Sequence, residues 1–89
     1  MIERETEIVN RLGLHARAAA KLVHTAGAYQ SRVMISKDGE DVDAKSILGV
    51  LLLAAGQGTM VTIRCDGKDE EAAMKAVTDL IANRFDEES

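Results

Sequence analysis

The chain of 89 residues has no proline and no tryptophan, a single cysteine, and only two aromatic residues, Tyr29 and Phe85. A lone thiol, Cys65, rules out an internal disulfide and fits a reducing compartment. With two aromatics and no long basic run there is no base-stacking platform or phosphate-tracking stripe, so nucleic-acid binding is not expected. The net charge of −4 agrees with that. The longest apolar run, Ile47 to Ala55, has nine residues including Gly49, against roughly 20 for a membrane span. Glu3, Arg4 and Glu5 stand where a secretory signal needs an apolar stretch. The expectation is a cytoplasmic protein without membrane insertion. No repeat, linker or low-complexity stretch divides the chain, so residues 1–89 are expected to form one domain. A domain this small buries only about 60–65% of its unfolded surface. Its chemistry should therefore sit near the surface.

Apolar periodicity then gives the order of elements. Glu3, Glu5 and Glu7 share one face of a first strand over about Glu3–Val9, leaving that face solvated. Ala19, Leu22, Val23 and Ala26 repeat as the inner stripe of a helix from about Ala16 to Ala26, with Gly27 as a left-handed stop. Val33 and Ile35 alternate with polar neighbours as a strand, Asp38-Gly39 signals a hairpin, and Val42 lies on the returning strand. Ser46 is placed to cap a short helix, which Gly56 and Gly58 follow. Val61, Ile63 and Cys65 mark another strand. Asp69, Glu70 and Glu71 suit the positive end of a last helix, with Ala73, Ala76, Val77, Leu80 and Ile81 inward. Phe85 to Ser89 are expected to fray. Short strands with one apolar face imply an α+β fold, an antiparallel sheet covered on one side by helices.

The sharpest local feature is Gly13-Leu14-His15-Ala16-Arg17. A histidine stands where a turn becomes a helix, and an arginine follows two residues later. The first amides of a helix lack intrahelical partners, and with the dipole they form an anion site. The N–H groups of Ala16, Arg17 and Ala18 can thus receive a phosphoryl group carried on His15, while Arg17 neutralises charge as the group moves. Imidazole, with an unperturbed pKa of about 6.5, is often neutral and nucleophilic near pH 7, and a helix N-terminus disfavours its cation. A plain cap or surface histidine is the structural alternative.

Gly13-Leu14-His15-Ala16-Arg17-Ala18-Ala19, followed by Ala44-Lys45-Ser46-Ile47-Leu48-Gly49-Val50, resembles the HPr family of the bacterial phosphoenolpyruvate-dependent sugar phosphotransferase system. The resemblance covers nearly the whole chain. It implies an open-faced β-sandwich, a four-stranded antiparallel sheet with three helices on one face, in the order β-α-β-β-α-β-α. It implies a phosphocarrier, not an enzyme: His15 receives a phosphoryl group on Nδ1 from phosphorylated Enzyme I and passes it to EIIA domains. The active-site arginine falls on Arg17. The regulatory serine, target of HPr kinase/phosphorylase, falls on Ser46. No cofactor or metal is implied. The family usually has proline where this chain has Ala18. Alanine leaves the helix intact and restores an N–H that can serve the phosphate.

The remaining candidates concern partners. Ile47, Leu48, Leu51 and Leu52 make the short helix more apolar than covering a sheet requires, and some are expected to form a docking surface rather than core. Arg17, Lys21 and His24 lie one turn apart on the first helix and give local positive charge toward an acidic partner. His24 falls opposite His15 on an ideal helix, so the two do not share a metal. The chain is expected to act as a monomer. Three other readings stay open: the nitrogen-related regulatory branch of the phosphotransferase system, a regulatory binding module that never carries phosphate, and an acyl carrier armed at Ser46. Lys45, where an acyl carrier has an acidic residue, argues against the last.

Overall fold

The computed structural model describes all residues 1–89. Strands β1 (Ile2–Glu7), β2 (Arg32–Lys37), β3 (Glu40–Asp43) and β4 (Met60–Asp66) alternate with helices α1 (Ala16–Gly27), α2 (Ile47–Leu53) and α3 (Glu70–Ala82). The strands form one antiparallel sheet in the order β1-β4-β2-β3. The three helices cover one face, which is the expected open-faced architecture.

Register explains why that face is apolar. Val33 pairs with Cys65 and Ile35 with Ile63, and all four are fully buried. One residue along each strand the side chains reach the other face, where Glu3 pairs with Arg64 and Glu5 with Thr62. The Arg64 guanidinium donates to Glu3 and to Asp41, both at 2.8 Å, and so ties β1 to the far hairpin over the solvated face. Asp38 and Gly39 both have positive φ, 52° and 83°. They make the two-residue turn that their sequence signals, joining Lys37 to its partner Glu40.

Several boundaries differ from expectation for identifiable reasons. Gly27 is the last residue of α1 and is not left-handed; Ala28 closes the helix with φ −73°. In α2 it is Ala54, not a glycine, that takes the left-handed stop, at φ 54°. Asp69 begins α3 but does not cap it with its side chain. Its carboxylate reaches across to accept the N–H groups of Gln30 and Ser31, each at 2.9 Å, and the Ser31 hydroxyl. In α3 the buried stripe is Ala73, Met74, Val77 and Ile81, whereas Ala76 and Leu80 are only half-buried. The largest departure is at the end of the chain. Phe85 does not fray: it is fully buried in the core.

Candidate functional site

The site is built on the turn before α1. Asn10 is fully buried, and its Nδ2 donates to the Gly13 carbonyl at 2.8 Å. Gly13 has φ +65°, and a Cβ there would lie 2.6 Å from the Ala55 carbonyl oxygen. Only glycine fits that approach without strain. The next residue, Leu14, donates its N–H to the same Ala55 oxygen at 2.9 Å and buries its side chain. The turn is therefore clamped to the loop after α2, and this clamp sets where the following residue stands.

That residue is His15. It occupies the N-cap of α1 with an extended backbone, φ −75° and ψ 179°, and its ring makes no capping bond. The structural alternative of a capping histidine does not hold. The first backbone bond into the helix runs from the Ala19 N–H to the His15 carbonyl at 2.8 Å. The N–H groups of Ala16, Arg17 and Ala18 precede it and make no intrahelical bond, which is the arrangement that favours an anion. Arg17 is exposed beside them.

The C-terminal segment closes over this turn. Beyond α3, residues Arg84, Phe85 and Asp86 are all left-handed, with φ of 57°, 53° and 63°. Each such residue other than glycine costs about 1–2 kcal/mol. Burial of Phe85 offsets that cost. Lys21 holds the turn by donating to the Phe85 carbonyl at 2.8 Å, with Asp86 nearby at 3.9 Å. The strand of chain that emerges places Glu87 on the site. Glu87 Oε2 lies 2.5 Å from His15 Nε2, and Oε1 accepts from Asn10 Nδ2 at 3.0 Å. These bonds, first that from Asn10 and then that from His15, with the charge of Arg17 adding to them, hold the Glu87 carboxyl below the usual carboxylate range. The His15 side chain keeps 30% of its surface exposed while Glu87 keeps 12%. The ring is thus reachable from solvent and held on one side.

His15, Arg17 and Lys21 line one shallow groove with Asp86 and Glu87. Arg17, Lys21 and His24 continue into a second groove beside Thr25 and Leu80, so the three basic residues do share a face of α1. Lys21, however, is committed to the tail. Ser46 caps α2, its Oγ accepting the Gly49 N–H at 3.2 Å. The α2 residues divide cleanly: Val50 and Leu53 enter the core, whereas Ile47, Leu48, Leu51 and Leu52 are exposed, Leu48 and Leu52 by 64% and 70%. Leu12, 60% exposed, adds to the apolar surface of the molecule from the turn before His15. Sequence reasoning missed Asn10 and Glu87. The available signal was Phe85, an isolated large apolar residue in a polar tail, which is better read as an anchor than as a frayed end.

A family signature described as "PTS HPr component phosphorylation site" matches residues 2–83. The chain is 58% identical over 87 residues to the phosphocarrier protein HPr of Cupriavidus necator, covering 98% of each. The crystal structure of HPr-C-His from Thermoanaerobacter tengcongensis superposes with a TM-score of 0.96 at 46% identity over the full length of both chains. The crystal structure of an HPr dimer from the same organism gives a TM-score of 0.79 at 46% identity, covering 98% of this chain and 100% of that one.

Proposed function

The chain belongs to the HPr family, phosphocarrier proteins of the phosphotransferase system and not enzymes, and on that footing we propose that His15 takes a phosphoryl group on Nδ1 from phosphorylated Enzyme I and passes it to EIIA domains. The supporting observation is a half-exposed imidazole at the N-cap of α1, unspent on capping, next to three amides without intrahelical bonds. Phosphoryl transfer asks mainly for alignment and charge stabilisation. The Ala16, Arg17 and Ala18 amides meet the phosphoryl oxygens, and Arg17 neutralises charge during transfer. The exposed apolar side chains of α2, with Arg17 and His24, form the docking face. Ser46, on the edge of that face, is the regulatory site for an HPr kinase/phosphorylase. Residues 1–89 work as one monomeric unit in the cytoplasm. No helix is long and apolar enough to cross a membrane.

Incubation with Enzyme I, phosphoenolpyruvate and Mg²⁺ tests this directly. The chain is expected to take up an acid-labile label, as phosphohistidine does, and His15→Ala to take up none. A label that survives acid, or that persists in His15→Ala, rejects His15 as the acceptor.

A further inference from the structure

We propose that the open edge of β1 is a docking site for an extended peptide, which adds to the sheet as a further strand and sets basic side chains opposite Glu3, Glu5 and Glu7. None of these three residues lines the groove around His15, so the surface is distinct from the site described above.

β1 pairs with β4 on one side and with no strand on the other. No backbone hydrogen bond outside the sheet ladder involves Ile2–Glu7. The ladder also fixes which way the backbone groups point. The Ile8 N–H donates to the Thr59 carbonyl at 2.9 Å, one step beyond the pairing of Glu7 with Met60. Backbone groups alternate from side to side along a strand. Those of Thr6, Arg4 and Ile2 therefore face β4, and those of Glu3, Glu5 and Glu7 face the open edge. The same three residues carry their side chains on the solvated face of the sheet, and all three are exposed. Glu3 is tied to Arg64, whereas Glu5 and Glu7 pair with no cation. An exposed edge is commonly blunted by proline, a bulge, short length or a cover. β1 has no proline and no bulge: its six residues pair with β4 in one unbroken register. The other edge strand, β3, has only four residues, and its last carbonyl, that of Asp43, is taken by the Ser46 N–H at 2.9 Å.

Charge selects the occupant. Residues directly opposite in an antiparallel pair share a face and interact. A second copy that continued the sheet with its helices on the same side would set glutamate against glutamate in every such register; in the centred one Glu3 meets Glu7 and Glu5 meets its own copy. Like charges directly opposite are destabilising. The row that repels a second copy attracts a strand of the opposite sign. On the other face Arg4 is exposed and without an ion pair, between half-buried Ile2 and Thr6. That face asks for an acidic residue flanked by apolar ones. An antiparallel peptide that meets both faces reads Lys-Val-Lys-Glu-Lys-Val. Its lysines stand opposite Glu7, Glu5 and Glu3, its glutamate opposite Arg4, and its valines opposite Thr6 and Ile2. In strand addition main-chain bonds give affinity and alternate side chains give specificity. Here both come from the same three residues of β1.

The test is an NMR titration of the full chain with acetyl-Lys-Val-Lys-Glu-Lys-Val-amide. Binding is expected with a Kd below about 1 mM, with shifts centred on β1 and slower hydrogen exchange at the Glu3, Glu5 and Glu7 amides. The same peptide with its lysine amides N-methylated keeps every charge but cannot pair as a strand, and it is expected not to bind. The double variant Glu5→Lys, Glu7→Lys is expected to weaken binding about tenfold or more. A peptide with its first and third lysines replaced by glutamate should restore binding to that variant, which also shows that the variant folds. No binding, shifts centred on β3, or equal binding of the N-methylated peptide overturns the proposal. So does a failure of the exchanged charges to restore binding. Protection of the Glu3, Glu5 and Glu7 amides without peptide, in a chain of twice the expected mass, would give the edge to a second copy and overturn it as well.

Discussion

At the scale of the residue, Gly13 decides where His15 stands. Its φ of +65° and the 2.6 Å that would separate a Cβ from the Ala55 carbonyl oxygen leave no room for a side chain. Gly13→Ala is expected to cost about 3 kcal/mol, read from the shift of a urea unfolding midpoint, and to disturb the amide resonances of Leu14, His15 and Ala55 together. A variant as stable as the wild-type chain would show that the clamp does not exist. Ala18 is the opposite kind of position. Its N–H carries no intrahelical bond, so a proline would remove no helical bond there and would narrow the unfolded ensemble. Ala18→Pro is expected to gain about 0.4–1 kcal/mol and to keep phosphoryl uptake, because the Ala16 and Arg17 amides remain. Ala18 is fully buried, and a lower unfolding midpoint would mean that its pocket has no space for the ring.

At the scale of the element, both ends of α3 are fastened by carboxylates that must be ionised. Asp69 at its start is held below the usual range chiefly by the Ser31 hydroxyl and then by the Gln30 N–H. Glu87 beyond its end is held low by Asn10 and then His15. A carboxyl whose folded pKa is depressed contributes stability above its unfolded pKa, about 4.3 for glutamate, and loses that contribution as pH falls through the lower folded value. The tail is thus expected to stay docked at neutral pH and to release in acid below about pH 4. Amide hydrogen exchange at Phe85–Glu87 should show it, with exchange in Glu87→Ala, which loses both bonds of the carboxylate, already fast at pH 6. Equal protection at pH 3 and pH 6 would contradict this assignment. In α2 the Ser46 hydroxyl accepts a backbone N–H, and the neighbouring leucines are exposed. Ser46→Asp retains an N-cap acceptor and adds charge beside an apolar surface. The helix should persist while transfer from Enzyme I weakens by charge and desolvation. Unchanged transfer kinetics would remove Ser46 from the docking face.

At the scale of the whole molecule, the sheet order β1-β4-β2-β3 puts the first strand at one edge, against β4. Arg64 spans the solvated face between Glu3 and Asp41, while Cys65, the next residue, faces the core. Burial pushes the Cys65 thiol up, and Glu70 and Asp69 add to the effect. Reaction of that thiol with an alkylating reagent therefore requires the molecule to open. Labelling is expected to be complete within minutes in concentrated urea and slow without it, following the population of the open state. Rapid labelling of the native chain would show that the β4 side of the core opens locally. Helix α1 serves as a platform. It packs against α2 and α3, and the tail after α3 crosses its N-terminal end. His15, the exposed apolar surface of α2 and the tail after α3 thus belong to three different segments of the chain.

The share of this that could be read from residue order follows from the range of the forces involved. Strand alternation, the Asp38-Gly39 turn, the Ser46 cap and the amides opening α1 depend on neighbours a few residues apart, and all appear where the pattern of residues places them. His15 and Arg17, two positions apart, line one groove. What residue order left unsaid lies across distance. The choice among Ile47, Leu48, Val50, Leu51, Leu52 and Leu53 of which enter the core depends on how α2 rotates over the sheet. The fate of Phe85 depends on a buried core position beside α1 and α3, which exists only once the two helices have met. Glu87 stands 72 residues from His15, and no local propensity joins them. Burial of one aromatic side chain holds three left-handed residues in place and sets a carboxylate against an imidazole, which is a decision of packing and not of local preference.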